Sequence, residues 1–191
     1  VKGLYAITPE GPGLVAKVRS ALEGGIALLQ YRNKQASLGE AKEIARIARE
    51  HGVPLIVNDD IELALAIDAG GAHLGRDDGN LVGARKKLKG KILGASCYDR
   101  LDLARAAVAA GANYVAFGSV FASPTKPQAV RAPLSLFKND LGVPLCAIGG
   151  ITLANAPQAI AAGADLLAVI SDLFDAPDIA ARARAYGKLF T

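Results

Sequence analysis

The hydrophobic positions of this chain fall in short, nearly unbroken runs, separated by longer stretches in which apolar residues recur at helical spacing. Four times a helical pattern ends in Gly followed by Gly or Ala and then an apolar run: Gly24-Gly25, Gly70-Gly71, Gly111-Ala112 and Gly163-Ala164. Glycine there suits the left-handed residue just past a helix end, and the run after it reads as a strand buried on both faces. Two further joints read Gly52-Val53-Pro54 and Gly142-Val143-Pro144, where proline stops the helix and can open a strand. These joints predict strands near 3–8, 26–32, 54–59, 72–76, 91–97, 114–120, 144–149 and 166–170. Helices are expected near 13–23, 38–51, 60–69, 80–88, 100–110, 133–140, 153–162 and 177–189. One strand-helix unit thus repeats at about 24 residues, the order of an α/β protein built as a (β/α)8 TIM barrel. An open doubly wound sheet alternates in the same way but gathers its unusual polar residues at a switch point. Here they close at least six strands, so a single barrel domain over residues 1–191 is the expected architecture.

Composition narrows the function. With 51% hydrophobic and 21% charged residues in 191, the chain can bury one core and is too apolar for disorder. No apolar run approaches the ~18 residues of a membrane span. The opening stretch, Val1 to Ile7, is too short for a signal peptide, and a chain with no Met is expected to have lost its start. The net charge of +4 is local, with Arg85, Lys86, Lys87, Lys89 and Lys91 close together. No aromatic residues interleave with that run as single-strand binding would require, so it reads as a solvated helix face; neither nucleic acid nor a membrane is an expected partner. Cys97 and Cys146 lie in strand-like contexts without metal or redox spacing and read as reduced core residues of a cytoplasmic protein.

Candidate chemistry collects at the strand ends. In the second strand, period-two geometry puts Ile26, Leu28, Gln30, Arg32 and Lys34 on one face, which begins as core and ends as a cationic rim. A surface ion-pair strand end is the alternative for that segment alone. The third strand closes with Asn58-Asp59-Asp60 and the fourth with Gly75-Arg76-Asp77-Asp78. Carboxylates there, with no His or Cys cluster, suit Mg²⁺ better than zinc; Asp60 or Asp78 could equally cap the following helix. After the sixth strand, residues 121–133 carry three prolines, two hydroxyls and two cations, and read as a positioned lid or as a bare surface loop. The seventh strand ends Ile148-Gly149-Gly150-Ile151-Thr152 and the eighth Val169-Ile170-Ser171-Asp172. The loops after these two strands are where this fold commonly holds phosphate by backbone N–H groups. His51 and His73 have no partner at an informative spacing and read as packing or capping residues. No nucleophile and base pair stands out.

The ordered set Gln30-Tyr31-Arg32-Asn33-Lys34, Val57-Asn58-Asp59-Asp60, His73-Leu74-Gly75-Arg76-Asp77-Asp78, Ser123-Pro124-Thr125-Lys126, Gly149-Gly150-Ile151-Thr152 and Val169-Ile170-Ser171 resembles the thiamine phosphate synthase family over nearly the whole chain. The resemblance implies a (β/α)8 barrel enzyme, a transferase of thiamine biosynthesis. It would join hydroxymethylpyrimidine diphosphate to a thiazole phosphate and release diphosphate and thiamine phosphate. By resemblance, Gln30, Arg32, Lys34, Asn58, Ser96 and Lys126 match positions that bind the pyrimidine diphosphate, with Arg32, Ser96 and Lys126 the catalytic candidates. Asp59 and Asp78 match the Mg²⁺ ligands, and Ser123, Pro124, Thr125, Gly150, Ile170 and Ser171 the thiazole phosphate site. The family usually has Thr at the position of Ser123, Gln at that of Arg76, and often a further N-terminal segment. The partners implied are two small-molecule substrates, and a homo-oligomer is left open.

The chemistry of the residues agrees with that implication. A thiazole nitrogen is already nucleophilic and a pyrimidine methylene diphosphate carries its own leaving group, so no enzyme nucleophile is needed. A dissociative displacement is expected, with Mg²⁺, Arg32 and Lys126 facing the departing charge. The nearest alternative is a thiazole tautomerase-like enzyme, which would not need the metal carboxylates and the cation cluster. A catalytically silent phosphate-ligand binding barrel is another, and fold alone does not separate them.

Overall fold

A computed structural model describes residues 1–75, 80–123 and 126–191. Eight strands, β1 (Gly3–Ile7), β2 (Leu28–Tyr31), β3 (Leu55–Asn58), β4 (Gly71–Leu74), β5 (Ile92–Tyr98), β6 (Tyr114–Gly118), β7 (Leu145–Ile148) and β8 (Leu166–Val169), pair in chain order and close into a barrel. Every pair is parallel, and β1 meets β8 in the register Gly3↔Leu166 to Ala6↔Val169. The α-helices are α1 (Leu14–Glu23), α2 (Leu38–Glu50), α3 (Ile61–Ala66), α4 (Leu81–Lys87), α5 (Leu101–Ala109), α6 (Ala156–Ala162), α7 (Ser171–Phe174) and α8 (Ile179–Gly187).

The period-two alternation of the strands divides the core into two clusters. One fills the barrel, with Tyr5, Ile7, Leu28, Ile56, Tyr114, Ala116, Cys146, Leu166 and Ala168. The other lies between sheet and helices, where Leu29, Leu55, Val115 and Leu167 meet Val18, Ile44 and Ala104. Since both faces of each strand are covered, polar residues are left to the strand ends or to sites inside the barrel where they bond one another. Side-chain caps mark the starts of four helices: Ser37 accepts from the Glu40 N–H, Asp60 from Leu63, Asn80 from Val82 and Gly83, and Asp178 from Ala181.

Several expectations are corrected. The segment near 133–140 forms a 3₁₀ helix, Leu134–Lys138, because only five residues separate Pro133 from the extended Asn139. Ser171–Phe174 forms the short helix α7 directly after β8. Ile26 packs in the outer cluster: the chain becomes a strand only at Leu28, so the inward face of β2 holds Leu28 and Gln30 but not Ile26. The basic run is not simply a solvated face. The Arg85 guanidinium donates to the carbonyls of Leu88, Lys91 and Gly111 and to Asn113 Oδ1, tying the end of α4 to the approach to β6. Lys87 pairs with Glu62 and Lys91 with Asp68. Cys97 and Cys146 are free and buried, and burial pushes the Cys97 thiol up to about 12.

The joint at Gly70-Gly71 does not turn on a left-handed glycine. The positive φ falls on Asp68, at 50°, and Gly71 is required because a Cβ there would lie 1.9 Å from the Ile92 carbonyl oxygen. At Gly52 the surroundings are open, but φ is +68°. Gly71→Ala should therefore lower stability by roughly 1–3 kcal/mol or more through overpacking at the β4–β5 seam. Gly52→Ala should cost only about 1 kcal/mol, from backbone strain. Urea midpoints with unchanged m-values would register both.

Candidate active site

Parallel closure brings the C-terminal ends of all eight strands to one mouth of the barrel. Gln30 ends the inward row of β2, level with Ile7 and Ile56; Asn58 ends β3 beside His73 of β4; Ser96 lies on β5 level with Ala116. Gln30 is buried at 3% exposure; Asn58 and Ser96 are half-buried. A register shift between Ser96 and Tyr98, whose φ is +54°, turns the end of β5 just past Ser96.

Buried Thr8 fastens the cationic stretch after β2. Its hydroxyl accepts from the Arg32 N–H at 2.9 Å and donates to the Arg32 carbonyl at 3.3 Å. Further on, Glu40 Oε1 accepts from the Tyr31 hydroxyl and Asn33 Nδ2, holding the start of the β2–α2 loop against the first turn of α2. Arg32 is half-buried and Lys34 exposed. At the end of β3 the exposed Asp59 takes a left-handed backbone, φ +66°, and its Oδ2 accepts from Asn58 Nδ2 at 2.9 Å. That conformation is uncommon for a residue with a Cβ and is concentrated at functional sites. Asp60 behaves as the helix cap its position allowed. Asp78, with Arg76 and Asp77, lies outside the described residues, as do Pro124 and Thr125.

The segment after β6 is anchored at its base. Ser119 N–H donates to Val130 O, Ala132 N–H to Ser119 O, and Phe121 N–H to Gly149 O. Arg131 bonds the Val120 carbonyl, so it serves the loop itself. Ser123 is half-buried and Lys126 is exposed. Gly150 has φ +63°, and a Cβ there would strike the Ala122 carbonyl at 2.5 Å. Close approach at Gly149-Gly150 therefore includes the β6 loop packed over it. Asn155 Nδ2 donates to the Gly150 carbonyl, while Ile170 and Ser171 form the entry to α7.

Asp172, in the first turn of α7, joins these last two loops. Its Oδ2 accepts from the Leu153 N–H at 3.0 Å and the Tyr186 hydroxyl at 2.6 Å, and pairs with Arg182 at 2.9 Å. Burial and this carboxylate push the Tyr186 hydroxyl pKa up, so it stays a donor. Among the described residues no ion pair engages Arg32, Lys34 or Lys126.

Sequence reasoning found the rim but missed its supports. Thr8, Glu40 and Asp172 act through neighbours distant in sequence, although Ser37-x-x-Glu40 has capping-box spacing that could have flagged Glu40. His51 caps α2 as expected, its Nδ1 on the Ile47 carbonyl at 2.8 Å. His73 is the packing residue expected, buried inside the barrel and stacked on Tyr114, and it also makes polar contacts not foreseen, with Nε2 2.8 Å from Ser96 Oγ and Nδ1 2.8 Å from the Tyr114 hydroxyl. The inward row of β4 was the available signal.

Cations without carboxylate partners among the described residues, at the open end of a closed barrel, call for an anionic occupant, and the loops after β7 and β8 lie where this fold binds phosphate. Fold and rim thus define a TIM-barrel enzyme class that handles phosphorylated small molecules. Residues 4–173 match the family described as thiamine monophosphate synthase, and the chain belongs to that family. It is 61% identical to a thiamine-phosphate synthase of Aromatoleum aromaticum, covering 100% of this chain and 97% of the relative. The corresponding protein of Chromobacterium violaceum is 54% identical, with 100% and 97% covered. A solved thiamine phosphate pyrophosphorylase from Pyrococcus furiosus superposes with TM-score 0.87 at 34% identity, over 98% of this chain and 94% of that one. Among the described residues no helix is long and apolar enough to cross a membrane.

Replacing Asp172 with Ala should free the β7 loop from α7 and α8 and lower stability by roughly 1–3 kcal/mol. Hydrogen exchange should rise at Leu153, whose amide loses its acceptor, while the Gly3 amide on β1 stays protected.

Proposed function

We infer that this chain catalyses thiamine phosphate synthesis, transferring the hydroxymethylpyrimidine group from its diphosphate to a thiazole phosphate, and that residues 1–191 form a single barrel domain. The observation carrying this reading is the order of the family's motifs along the barrel. Gln30–Lys34 overlaps and follows the end of β2, Asn58–Asp60 that of β3, and Gly149–Thr152 and Ile170–Ser171 follow β7 and β8. The Lys126 segment follows β6.

In the proposed reaction the methylene C–O bond breaks and its electron pair leaves on the diphosphate oxygen. The thiazole nitrogen lone pair forms the new C–N bond. Arg32 and Lys126 stabilise the charge gathering on the departing oxygens, and Lys34 and Ser96 hold the diphosphate. Gln30 and Asn58 orient the pyrimidine diphosphate from the barrel interior. Ser123, Pro124, Thr125, Gly150, Ile170 and Ser171 receive the thiazole phosphate.

Donor chemistry fits Mg²⁺. Asp59 offers a hard carboxylate oxygen at the rim, and among the described residues no cluster of three or more His, Cys, Asp or Glu could form an all-protein cage. A site of one or two carboxylates completed by substrate phosphates is the arrangement Mg²⁺ prefers. Asp59 and Asp78 would hold the ion, which supplies Lewis-acid neutralisation of the diphosphate when bound. The proposed reaction uses small molecules, and a cytoplasmic setting is part of the proposal.

The direct test mixes the protein with hydroxymethylpyrimidine diphosphate, thiazole phosphate and Mg²⁺, beside a chelator control, and follows thiamine phosphate and diphosphate together. Equal amounts of both, abolished by chelator, are expected; thiazole phosphate binding without product would move the reading to a tautomerase-like or silent barrel. Lys126→Ala should lower turnover about 100-fold or more while changing thiazole phosphate binding by less than about threefold, because its charge is aimed at the leaving group. Equal losses in both would remove that role. Asp59→Asn should shift the Mg²⁺ titration to at least tenfold higher concentration, and an unmoved titration would take Asp59 out of the ligand set.

A further inference from the structure

Inside the barrel, beneath the mouth, five side chains form one hydrogen-bonded chain. Gln30 Nε2 donates to the Tyr5 hydroxyl at 2.8 Å, Tyr5 and Tyr114 hydroxyls meet at 2.6 Å, the Tyr114 hydroxyl meets His73 Nδ1 at 2.8 Å, and His73 Nε2 meets Ser96 Oγ at 2.8 Å. It crosses from β2 through β1, β6 and β4 to β5. Room for it is built in: a Cβ on Gly94 would lie 2.1 Å from the Tyr114 ring, and Tyr5 and Tyr114 pack edge to face with ring centroids 5.7 Å apart.

The number of protons decides the direction of the chain. Each tyrosine hydroxyl has one hydrogen to give. Burial raises the pKa of both hydroxyls, so both keep that hydrogen at neutral pH. Tyr5 already accepts from Gln30, and among the described residues the one further hydrogen-bond partner of its hydroxyl is Tyr114. If Tyr114 donated to Tyr5, the Tyr5 hydrogen would be a buried donor without an acceptor, which is costly. Tyr5 therefore donates to Tyr114, Tyr114 donates to His73 Nδ1, and the imidazole carries its proton on Nε2. Ser96 Oγ receives that proton's hydrogen bond, which turns its own hydrogen away from the ring.

A serine-histidine pair at 2.8 Å otherwise invites a nucleophilic reading. Such a serine needs Nε2 as acceptor and a group that accepts from Nδ1–H; here Nδ1 faces a donor. We propose that Tyr5, Tyr114 and His73 are positioning residues that set Ser96 as a hydrogen-bond donor toward the anionic leaving group rather than as a nucleophile. The destination of that hydrogen bond rests on the synthase reading above; the tautomer of His73 does not.

Two measurements separate these parts. Long-range ¹H–¹⁵N correlation on histidine-labelled, unliganded protein, with His51→Gln used to assign His73, should show Nδ1 unprotonated and Nε2 protonated. A protonated Nδ1 would overturn the proposal whatever the protein catalyses. In the synthase assay, Tyr114→Phe, which keeps the ring, should lower kcat about tenfold with the thiazole phosphate KM within about twofold. In a Ser96→Ala background the same change should lower kcat by less than about twofold; an undiminished tenfold loss would show that Tyr114 does not act through Ser96. Should Tyr114→Phe fold poorly, His73→Gln against His73→Leu gives a second reading. The glutamine, which keeps a donor in reach of Ser96, should recover part of the turnover the leucine loses, and equal losses would overturn the role. A wild-type protein that makes no thiamine phosphate would defeat the synthase reading, and with it the leaving-group role of Ser96.

Discussion

Closure of the barrel is the constraint from which the rest follows. Once β1 and β8 pair in parallel register, no strand has a free edge and each is covered by side chains inside and helices outside. Polar groups then have two places to go: the ends of the strands, or a network inside whose members satisfy one another. This protein uses both. Every buried side-chain nitrogen and oxygen among the described residues has a partner. Among the described residues no Lys or Arg is buried; they stand at the rim or on the outer surface, where water or a ligand can solvate them.

The rim works through division of labour. Residues expected to meet substrate, such as Arg32 and Lys126, are held by backbone and loop contacts, and among the described residues no ion pair engages their charges. Thr8 clamps the Arg32 backbone, Glu40 holds the β2–α2 loop, the Ser119–Ala132 bonds close the base of the β6 loop, and Asp172 fastens the β7 loop to α7 and α8. Preorganisation of this kind suits a reaction whose bonds are broken by the leaving group and formed by the incoming nitrogen, since positioning and electrostatics are then what the protein must supply. The chain from Gln30 to Ser96 extends the same logic downward, setting the direction of a hydroxyl at the mouth from groups on the barrel floor.

The order and type of most elements were legible in the sequence, because they depend on local chemistry. Gly-Ala and Gly-Val-Pro joints mark where helices stop, apolar runs of four to seven residues mark strands covered on both faces, and the observed strand bounds lie within the predicted ones to within a residue or two. The family motifs were legible too, since they occupy contiguous strand ends. The weaker points were those in which a local rule was overruled by packing. Gly71 answers to the Ile92 carbonyl and not to a helix end, Ile26 precedes the strand whose face it was expected to share, and Arg85 answers to carbonyls across two connections.

What the sequence by itself determined, then, is the repeat of strand and helix, the polar character of the strand ends and the family to which they point, all set by residues within a few positions of one another. Only the tertiary structure decided which distant residues share a hydrogen bond. Tyr5 and Tyr114 are 109 positions apart and touch because β1 and β6 face each other across a closed barrel; His73 and Ser96 meet because β4 and β5 are neighbours in register. Those contacts settle the direction of buried protons, and no pattern along the chain encodes that direction, because it depends on counting donors and acceptors in a space that exists only after the barrel has closed.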